Sequence, residues 1–343
     1  MLKRVFFLGS GFSKAIDNYP ILSELVFEKA INKKSTINYY VNETILPLKH
    51  NFEHLLTYLA SDMPWKNKEQ KHLDKAFYST IMETLSSLFM EYTDVSIKNI
   101  KSIYQKYKYL IDYFNKNSES IDFISLNYDL LLEIILQYIY NLSSPSEEQY
   151  NLTSSKMYKF PMTWVGLRYL STGLTFGDDN NTRTNPQIIK LHGSINWFWT
   201  GTSKSETIFY KNLNEDYFHL DVDAGLIPYI IPPVMDKNAF YYHTMIKSLW
   251  KKAHELLKNA DEIFIMGFSF PQTDISVRFL FQSILQGKTP KIYVVNKVDE
   301  GLKEKLVYNY SQIFTEHNVN YDFCNKNDVI NEIGIFLEEN HDK

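Results

Sequence analysis

The sequence predicts an α/β fold built on an open, doubly wound, mainly parallel sheet. Three observations predict it. Short apolar runs rich in Val, Ile and Phe recur at residues 5–8, 123–126, 188–191, 229–231, 263–266 and 292–295. Each has strand length, and near-continuous hydrophobicity marks a strand buried on both faces. Amphipathic helical patterns lie between several of the runs, at 248–259 (SLWKKAHELLKN) and at 275–286, which follows Asp274 as an N-cap. Strands alternating with helices require crossovers, and crossovers make parallel sheets. The third observation is that glycines and polar side chains cluster directly after the strands.

Length and composition set the outer limits. The chain has 343 residues, 44% of them hydrophobic and 22% charged, which is ordinary for a globular protein. One large domain with insertions accounts for the whole of residues 1–343. The single cysteine, Cys324, excludes an internal disulfide and a four-thiolate zinc site. It also fits a reducing, cytoplasmic compartment. The opening MLKRVFFLGSGFSK has too short an apolar run for a signal peptide and reads as a buried first strand. No apolar stretch approaches the ~20 residues that span a bilayer. Net charge is −4 with acidic and basic residues well mixed, so no nucleic-acid partner is expected.

Two segments interrupt the alternation. Residues 21–117 are largely helical in period and read as an insertion between the first two strands. Their apolar stripe of Phe77, Ile81, Leu85 and Leu88 serves either an assembly surface or the interior of one monomer. Residues 141–186, rich in Ser, Asn, Thr and Tyr, read as an irregular excursion or small module.

The strand ends carry the chemistry. Gly9-Ser10-Gly11-Phe12-Ser13 follows the first run, Asn127-Tyr128-Asp129 the second, and His192-Gly193-Ser194 the third. Pro232-Pro233 follows the fourth, Gly267-Phe268-Ser269 the fifth and Asn296 the sixth. In open parallel sheets, ligands bind outside the carboxyl ends of the strands. The glycine loop suits a phosphate, because small residues let backbone N–H groups approach. It equally suits a plain tight turn, and Lys14 breaks the full G-x-G-x-x-G pattern. Asn-Tyr-Asp by itself is a common turn or cap, and a lone histidine is more often structural than functional. Together they supply an imidazole for proton transfer, an amide to orient a hydroxyl, and a carboxylate to meet a donor or a developing cation.

His50-Asn51-Phe52-Glu53-His54 matches a zinc-peptidase pattern, H-x-x-E-H. Pro47 just upstream delays the helix that would have to hold both histidines, and no third ligand motif follows. A solvated helix start is the better reading, and no metal is expected.

In their order, these motifs resemble those of the sirtuins. Gly9-Ser10-Gly11-Phe12-Ser13 with Pro20 is similar to the sirtuin glycine-rich opening and its proline. Leu126-Asn127-Tyr128-Asp129 resembles the Asn-Ile-Asp step, and Lys190-Leu191-His192-Gly193-Ser194 the His-Gly segment. Gly267-Phe268-Ser269 resembles the later Gly-Thr/Tyr-Ser turn, and Asn296 the asparagine that reads the adenosine ribose. The finer resemblance is to sirtuin-like domains of bacterial anti-phage defence, which carry a helical insertion after the first loop. They also carry a Pro-Pro segment, a helix with a tryptophan, and a Gly-Tyr-Ser-type turn. Pro232-Pro233, Trp250 and Met266-Gly267-Phe268-Ser269-Phe270-Pro271 with Asp274 look like that set.

The resemblance implies a Rossmann-like sirtuin fold without a zinc module and with NAD as substrate. It implies hydrolysis to nicotinamide and ADP-ribose by an effector that depletes NAD. Asn127, His192 and Asp129 would be catalytic. Gly9, Ser10, Gly11, Phe12 and Ser13 would hold the pyrophosphate, and Gly267, Ser269 and Asn296 the adenosine half. The missing zinc cysteines and the missing acidic-Phe-Arg segment after Pro20 disfavour the alternative of an NAD-dependent protein deacylase. A non-catalytic NAD or ADP-ribose sensor is the other alternative. A hydrolase of this kind needs restraint, so a homo-oligomer and a separately encoded regulatory or sensor protein are expected.

Overall fold

The computed structural model describes residues 2–20, 48, 51–143, 157–158, 162–165, 172–175, 187–199, 208–210, 227–232, 243–285, 289–298, 300–314, 319–324 and 328–340. The first part of the chain forms β1 (Arg4–Leu8), α1 (Ser10–Asp17), α2 (Phe52–Ala60), α3 (Lys68–Lys106), α4 (Lys108–Lys116), β2 (Ile121–Ser125) and α5 (Leu131–Ser143). The middle forms β3 (Met162–Val165), β4 (Thr172–Thr175), β5 (Gln187–Lys190), β6 (Gly193–Trp199), β7 (Phe209–Tyr210) and β8 (Ile227–Ile230). The last part forms α6 (Thr244–Asn259), β9 (Glu262–Met266), α7 (Ile275–Ile284), β10 (Lys291–Asn296), α8 (Glu300–Ser311), β11 (Val319–Cys324) and α9 (Val329–Glu339).

Six strands make one sheet in the order β11-β10-β9-β1-β2-β5, and every neighbouring pair is parallel. Counted along the chain and read from the β5 edge, that order is 3-2-1-4-5-6, the dinucleotide-binding arrangement of doubly wound sheets. The chain builds outward from β1 through β2 to β5, then returns to the other flank of β1 with β9. The switch point therefore lies between β1 and β9. Helices flank the sheet, with α9 packed on α4 and α6 on α7.

The strands hold because their side chains match across the register. Phe123, Phe6, Phe264 and Tyr293 occupy partnered positions on β2, β1, β9 and β10. Phe6 stacks on Phe264 at 5.1 Å, and Phe264 stacks on Tyr293 at 4.7 Å with rings 3° apart. Aligned aromatic pairs of this kind add about 0.5–1.5 kcal/mol each beyond the area they bury. All five β1 residues are buried, as a central strand covered on both faces requires.

The structure departs from the sequence reading at three strands. The 229–231 run is β8, which leaves the parallel sheet and pairs antiparallel with β6 in a second sheet, order β4-β3-β7-β6-β8. Pro228 lies within β8 and Pro232 just beyond it; proline has no N–H to give a ladder, and β8 duly sits at an edge. β6 itself was not anticipated, since Ser194 and Asn196 break its apolar run, yet both are buried. Nor was β11, an edge strand whose Asn320 and Asp322 hydrogen-bond to each other at 2.7 Å. The second sheet draws β3 and β4 from residues 141–186 and extends well past them to β8.

The insertion is helical where it is described. α3 alone has 39 residues, about 58 Å of helix. It starts at a capping box in which Asn67 and Gln70 bond each other's backbone N–H. A buried ion pair, Lys66 with Asp74 at 2.7 Å, fastens that start to the preceding turn, where Lys66 also donates to Ser61 O. Phe77, Ile81, Leu85 and Leu88 are all buried within the monomer, so the stripe serves the chain's own core.

Candidate functional site

A cavity of about 410 Å³ opens at the carboxyl ends of β1, β2 and β9, at the switch point. The glycine loop, the loop after β2, His192 and the loop after β9 line it. The insertion supplies the facing wall through Asn51, Phe52 and Glu53 of the α2 start and Phe89 of α3.

Gly9 and Gly267 make the floor and Gly11 backs it, together letting two loops touch. Gly9 N–H donates to Met266 O at 2.9 Å, and Gly11 N–H donates to Gly267 O at 2.9 Å. Gly267 has φ +68°, and a Cβ there would lie 2.0 Å from Phe12 N. A Cβ on Gly9 would lie 2.6 Å from Gly267 O. Glycine is required here by backbone contact, and the Gly9 and Gly11 amides are committed to that contact. Ser10, the first residue of α1, lines the cavity beside them.

Asn127 is held from below. Its Nδ2 donates to Gly9 O and to Ser13 Oγ, each at 3.0 Å. A carbonyl only accepts, so the amide nitrogen must face Gly9. That orientation leaves Oδ1 as the acceptor that a hydroxyl or water entering the cavity would meet. Ser13 is 2% exposed, and its hydroxyl ties Asn127 to Asp129. The Asp129 carboxylate also accepts from Leu131 N–H at 3.1 Å. Burial pushes the Asp129 carboxyl above the usual carboxylate range, partly offset by the Lys190 ammonium. Lys190 sits beneath the loop, donates to Asp129 O at 2.5 Å, and pairs with Glu133 at 3.0 Å. Tyr158 donates to Glu133 from the other side.

His192 stands where the two sheets join, between the end of β5 and the start of β6. Its carbonyl accepts from Ile231 N–H at 2.8 Å, which fastens the backbone to the β8 end. Its ring, 5% exposed, lies between Tyr128 at 6.5 Å and Trp250 at 6.4 Å. Gly193 follows with φ +78°, where a Cβ would lie 2.1 Å from Tyr229 O.

Of the residues singled out from sequence, Gly9, Ser10, Ser13, Asn127, Asp129, His192, Gly267 and Ser269 line this one cavity. Gly11 and Phe12 lie behind it in α1, and Phe12 is 1% exposed. Asn296 ends β10, one strand beyond Gly267 on the same rim. From His192 to Asn296 the rim crosses β5, β2, β1, β9 and β10, about 19 Å at the usual ~4.8 Å strand spacing. Pro233 and His50 fall outside the described residues. α2 begins at Phe52 with Asn51 as its cap, so only Glu53 and His54 of the zinc-like pattern lie on the helix. Glu53 faces the cavity and His54 is exposed.

Sequence reasoning named Asp274 as a helix cap and as part of the resemblance but gave it no part in the site. Asp274 occupies the N-cap position of α7, as expected, but its side chain makes no capping hydrogen bond. Its carboxylate lies in the cavity instead, with Oδ1 3.9 Å from His192 Nε2. A cap signal in sequence explains an aspartate completely and so hides a second role.

No family model matches the chain, and no curated protein matches it. Among solved structures, it is similar to a Sir2 crystal structure in complex with the inhibitor EX-527, 2′-O-acetyl-ADP-ribose and deacetylated p53 peptide. That alignment has 13% identity and a TM-score of 0.36 and covers 99% of this chain and 94% of that one. A structure describing the basis of sirtuin substrate affinity aligns at 10% identity and a TM-score of 0.38, covering 98% and 93%. The strand order, rather than this distant likeness, fixes the fold class as a Rossmann-like parallel α/β sheet. Among the described residues, no helix is long and apolar enough to cross a membrane.

Proposed function

We propose that the chain is an NAD glycohydrolase, cleaving the nicotinamide–ribose bond with water to give nicotinamide and ADP-ribose. The observation that carries this reading is the pairing of the Asn127 acceptor with the His192 imidazole on one cavity at the switch point. Dinucleotides bind at that place in sheets of this order. The amino-terminal end of α1 at Ser10 suits a pyrophosphate, and the small glycines beside it leave the room, although their own amides are spent on the end of β9 and its loop. Ser269 and Asn296, farther along the rim, suit the adenosine half. The cavity's acidic groups suit a positively charged nicotinamide ring.

In the reaction the C1′–N bond breaks, and its electron pair leaves with neutral nicotinamide. The ribose carbon passes through an oxocarbenium-like state. Asn127 Oδ1 holds the attacking water or a ribose hydroxyl. His192 takes the proton as the new C1′–O bond forms and returns it to solvent. Asp129 meets the carboxamide N–H at the nicotinamide end. No step calls for a metal.

The resemblance to anti-phage defence domains gives the cellular reading, an NAD-depleting effector in the cytoplasm. It would be a homo-oligomer, weakly active alone and stimulated by a separately encoded partner or trigger protein.

The test is chromatography of NAD incubated with purified chain, with and without an acylated peptide. Nicotinamide and ADP-ribose should accumulate in equal amounts without peptide. Turnover only with peptide, yielding O-acyl-ADP-ribose, would replace hydrolysis with deacylation. Tight NAD binding with no turnover at any protein concentration, or with infected-cell extract added, would leave the sensor reading in its place.

A further inference from the structure

Asp274 stands at a helix start whose side-chain capping role it does not perform. Its carboxylate is 14% exposed and lies 3.9 Å from the His192 Nε2, itself on a 7% exposed side chain. α7 does not need that side chain to begin, because Arg278 N–H donates to the Asp274 carbonyl and Asp274 N–H donates to Pro271 O. The loop carrying it is pinned from three sides. Arg278 donates to Phe270 O at 3.0 Å, Asn309 to Ser269 O at 3.0 Å, and Tyr310 to Phe268 O at 2.7 Å. A carboxylate held this firmly within 4 Å of an imidazole is placed to act on it as a fixed charge.

We propose that Asp274 is the positioning residue for His192: its carboxylate, 3.9 Å from Nε2, acts on the ring as a fixed charge and favours the imidazole's taking a proton. The proposal rests on the hydrolase reading for its catalytic meaning, but the pairing itself is independent of turnover. The aromatic neighbours, Tyr128 from the β2 loop and Trp250 from α6, disfavour a charged imidazole by excluding water. Asp274 opposes them. The Tyr128 hydroxyl is turned away, donating to Ile231 O at 2.7 Å. Among the described residues, the other ionisable side chains on the cavity are Asp129, Glu53 and Tyr19. Burial raises the first of these, and the Tyr19 hydroxyl accepts from Ser96 at 3.0 Å. A base must be neutral to act, so activity should rise with pH through the His192 titration, and Asp274 should set where that rise falls.

The test compares wild type with D274N, which keeps the shape and the capping capacity of the side chain. The His192 ring resonance, identified among nine histidines by its loss in H192Q, is followed by NMR against pH. In D274N the His192 midpoint should fall by about 1–2 pH units while the other histidines stay put. The acid limb of NAD turnover should move down by the same amount, with the plateau about tenfold lower. The melting temperature should be nearly unchanged. A His192 midpoint that does not move in D274N overturns the pairing. A midpoint that moves while the acid limb does not leaves the pairing intact and removes His192 from the base role, which is a failure of the hydrolase mechanism instead.

Discussion

The two ends of the same parallel sheet are built on opposite rules. At the amino ends, Arg4 of β1 faces its register partner Glu262 of β9, with Nε to Oε2 at 2.7 Å. The rest of that guanidinium donates to the Tyr113 hydroxyl and to Asn340 O. Lys3 N–H donates to Asp261. Polar groups at this end are paired with one another. At the carboxyl ends, Asn127 spends both N–H donors inward and keeps its acceptor for the cavity. His192 and Asp274 stop 3.9 Å apart, farther than a hydrogen bond. One end is closed by the chain's own pairs, and the other lines a cavity. Polar groups paired at a closed strand end indicate stability, and polar groups gathered around a cavity suggest chemistry.

That contrast can be broken deliberately. The largest effect is expected at the carboxyl end: H192A should cut NAD turnover by ~10²–10⁴ with the melting temperature nearly unchanged. Chromatography and thermal denaturation on the same sample decide it, and retained turnover would make His192 structural. G267A should fail differently. Its Cβ would press on Phe12 N at 2.0 Å in a left-handed backbone, so folding stability should fall by about 3 kcal/mol or more. Denaturant titration reads this loss directly. E262A at the amino end removes the counter-charge of a guanidinium that is 7% exposed, leaving it only Tyr113 and Asn340, and should cost about 3 kcal/mol. Its turnover per folded molecule should match wild type, and a large loss of kcat there would erase the distinction between the two ends.

The smallest effect concerns Asp129. Its pKa is raised in the folded state, so its contribution to stability is greatest below the ordinary carboxylate pKa of ~3.9 and is lost as pH rises through the folded value. D129N cannot ionise. The melting temperature of D129N relative to wild type should therefore climb as pH rises above about 4. A difference that is flat with pH would mean that Asp129 is ionised without penalty.

Five of the six apolar runs read from sequence are strands of the parallel sheet, because burial on both faces leaves an unbroken apolar signal. The signal fails where burial is partial or polar. β11 shows Asn320 and Asp322 to solvent, and β6 buries Ser194 and Asn196 among its apolar residues. The rim was legible because each polar group sits directly after a strand. Its connections were not, because they join distant segments. Ser13 reads as a phosphate ligand in its loop, and nothing local says that its hydroxyl also joins Asn127 to Asp129. Asp274 looks like a cap and faces His192. The insertion gave its helices away by period, but nothing in that period says that Phe52, Glu53 and Phe89 close the cavity.

The join at His192 has a consequence for dissecting the protein. β5 ends at Lys190 in one sheet and β6 begins at Gly193 in the other, so the connection is only Leu191 and His192. Most two-part proteins offer a tether that can be cut, lengthened or fused through. Here the tether is the proposed proton acceptor, and Gly193 beside it accepts no side chain. An insertion, a protease site or a circular-permutation break at this point would displace the imidazole before it separated the parts. Fragments meant to isolate either sheet should be cut elsewhere, and a split-protein reporter should place its break on the far side of β8.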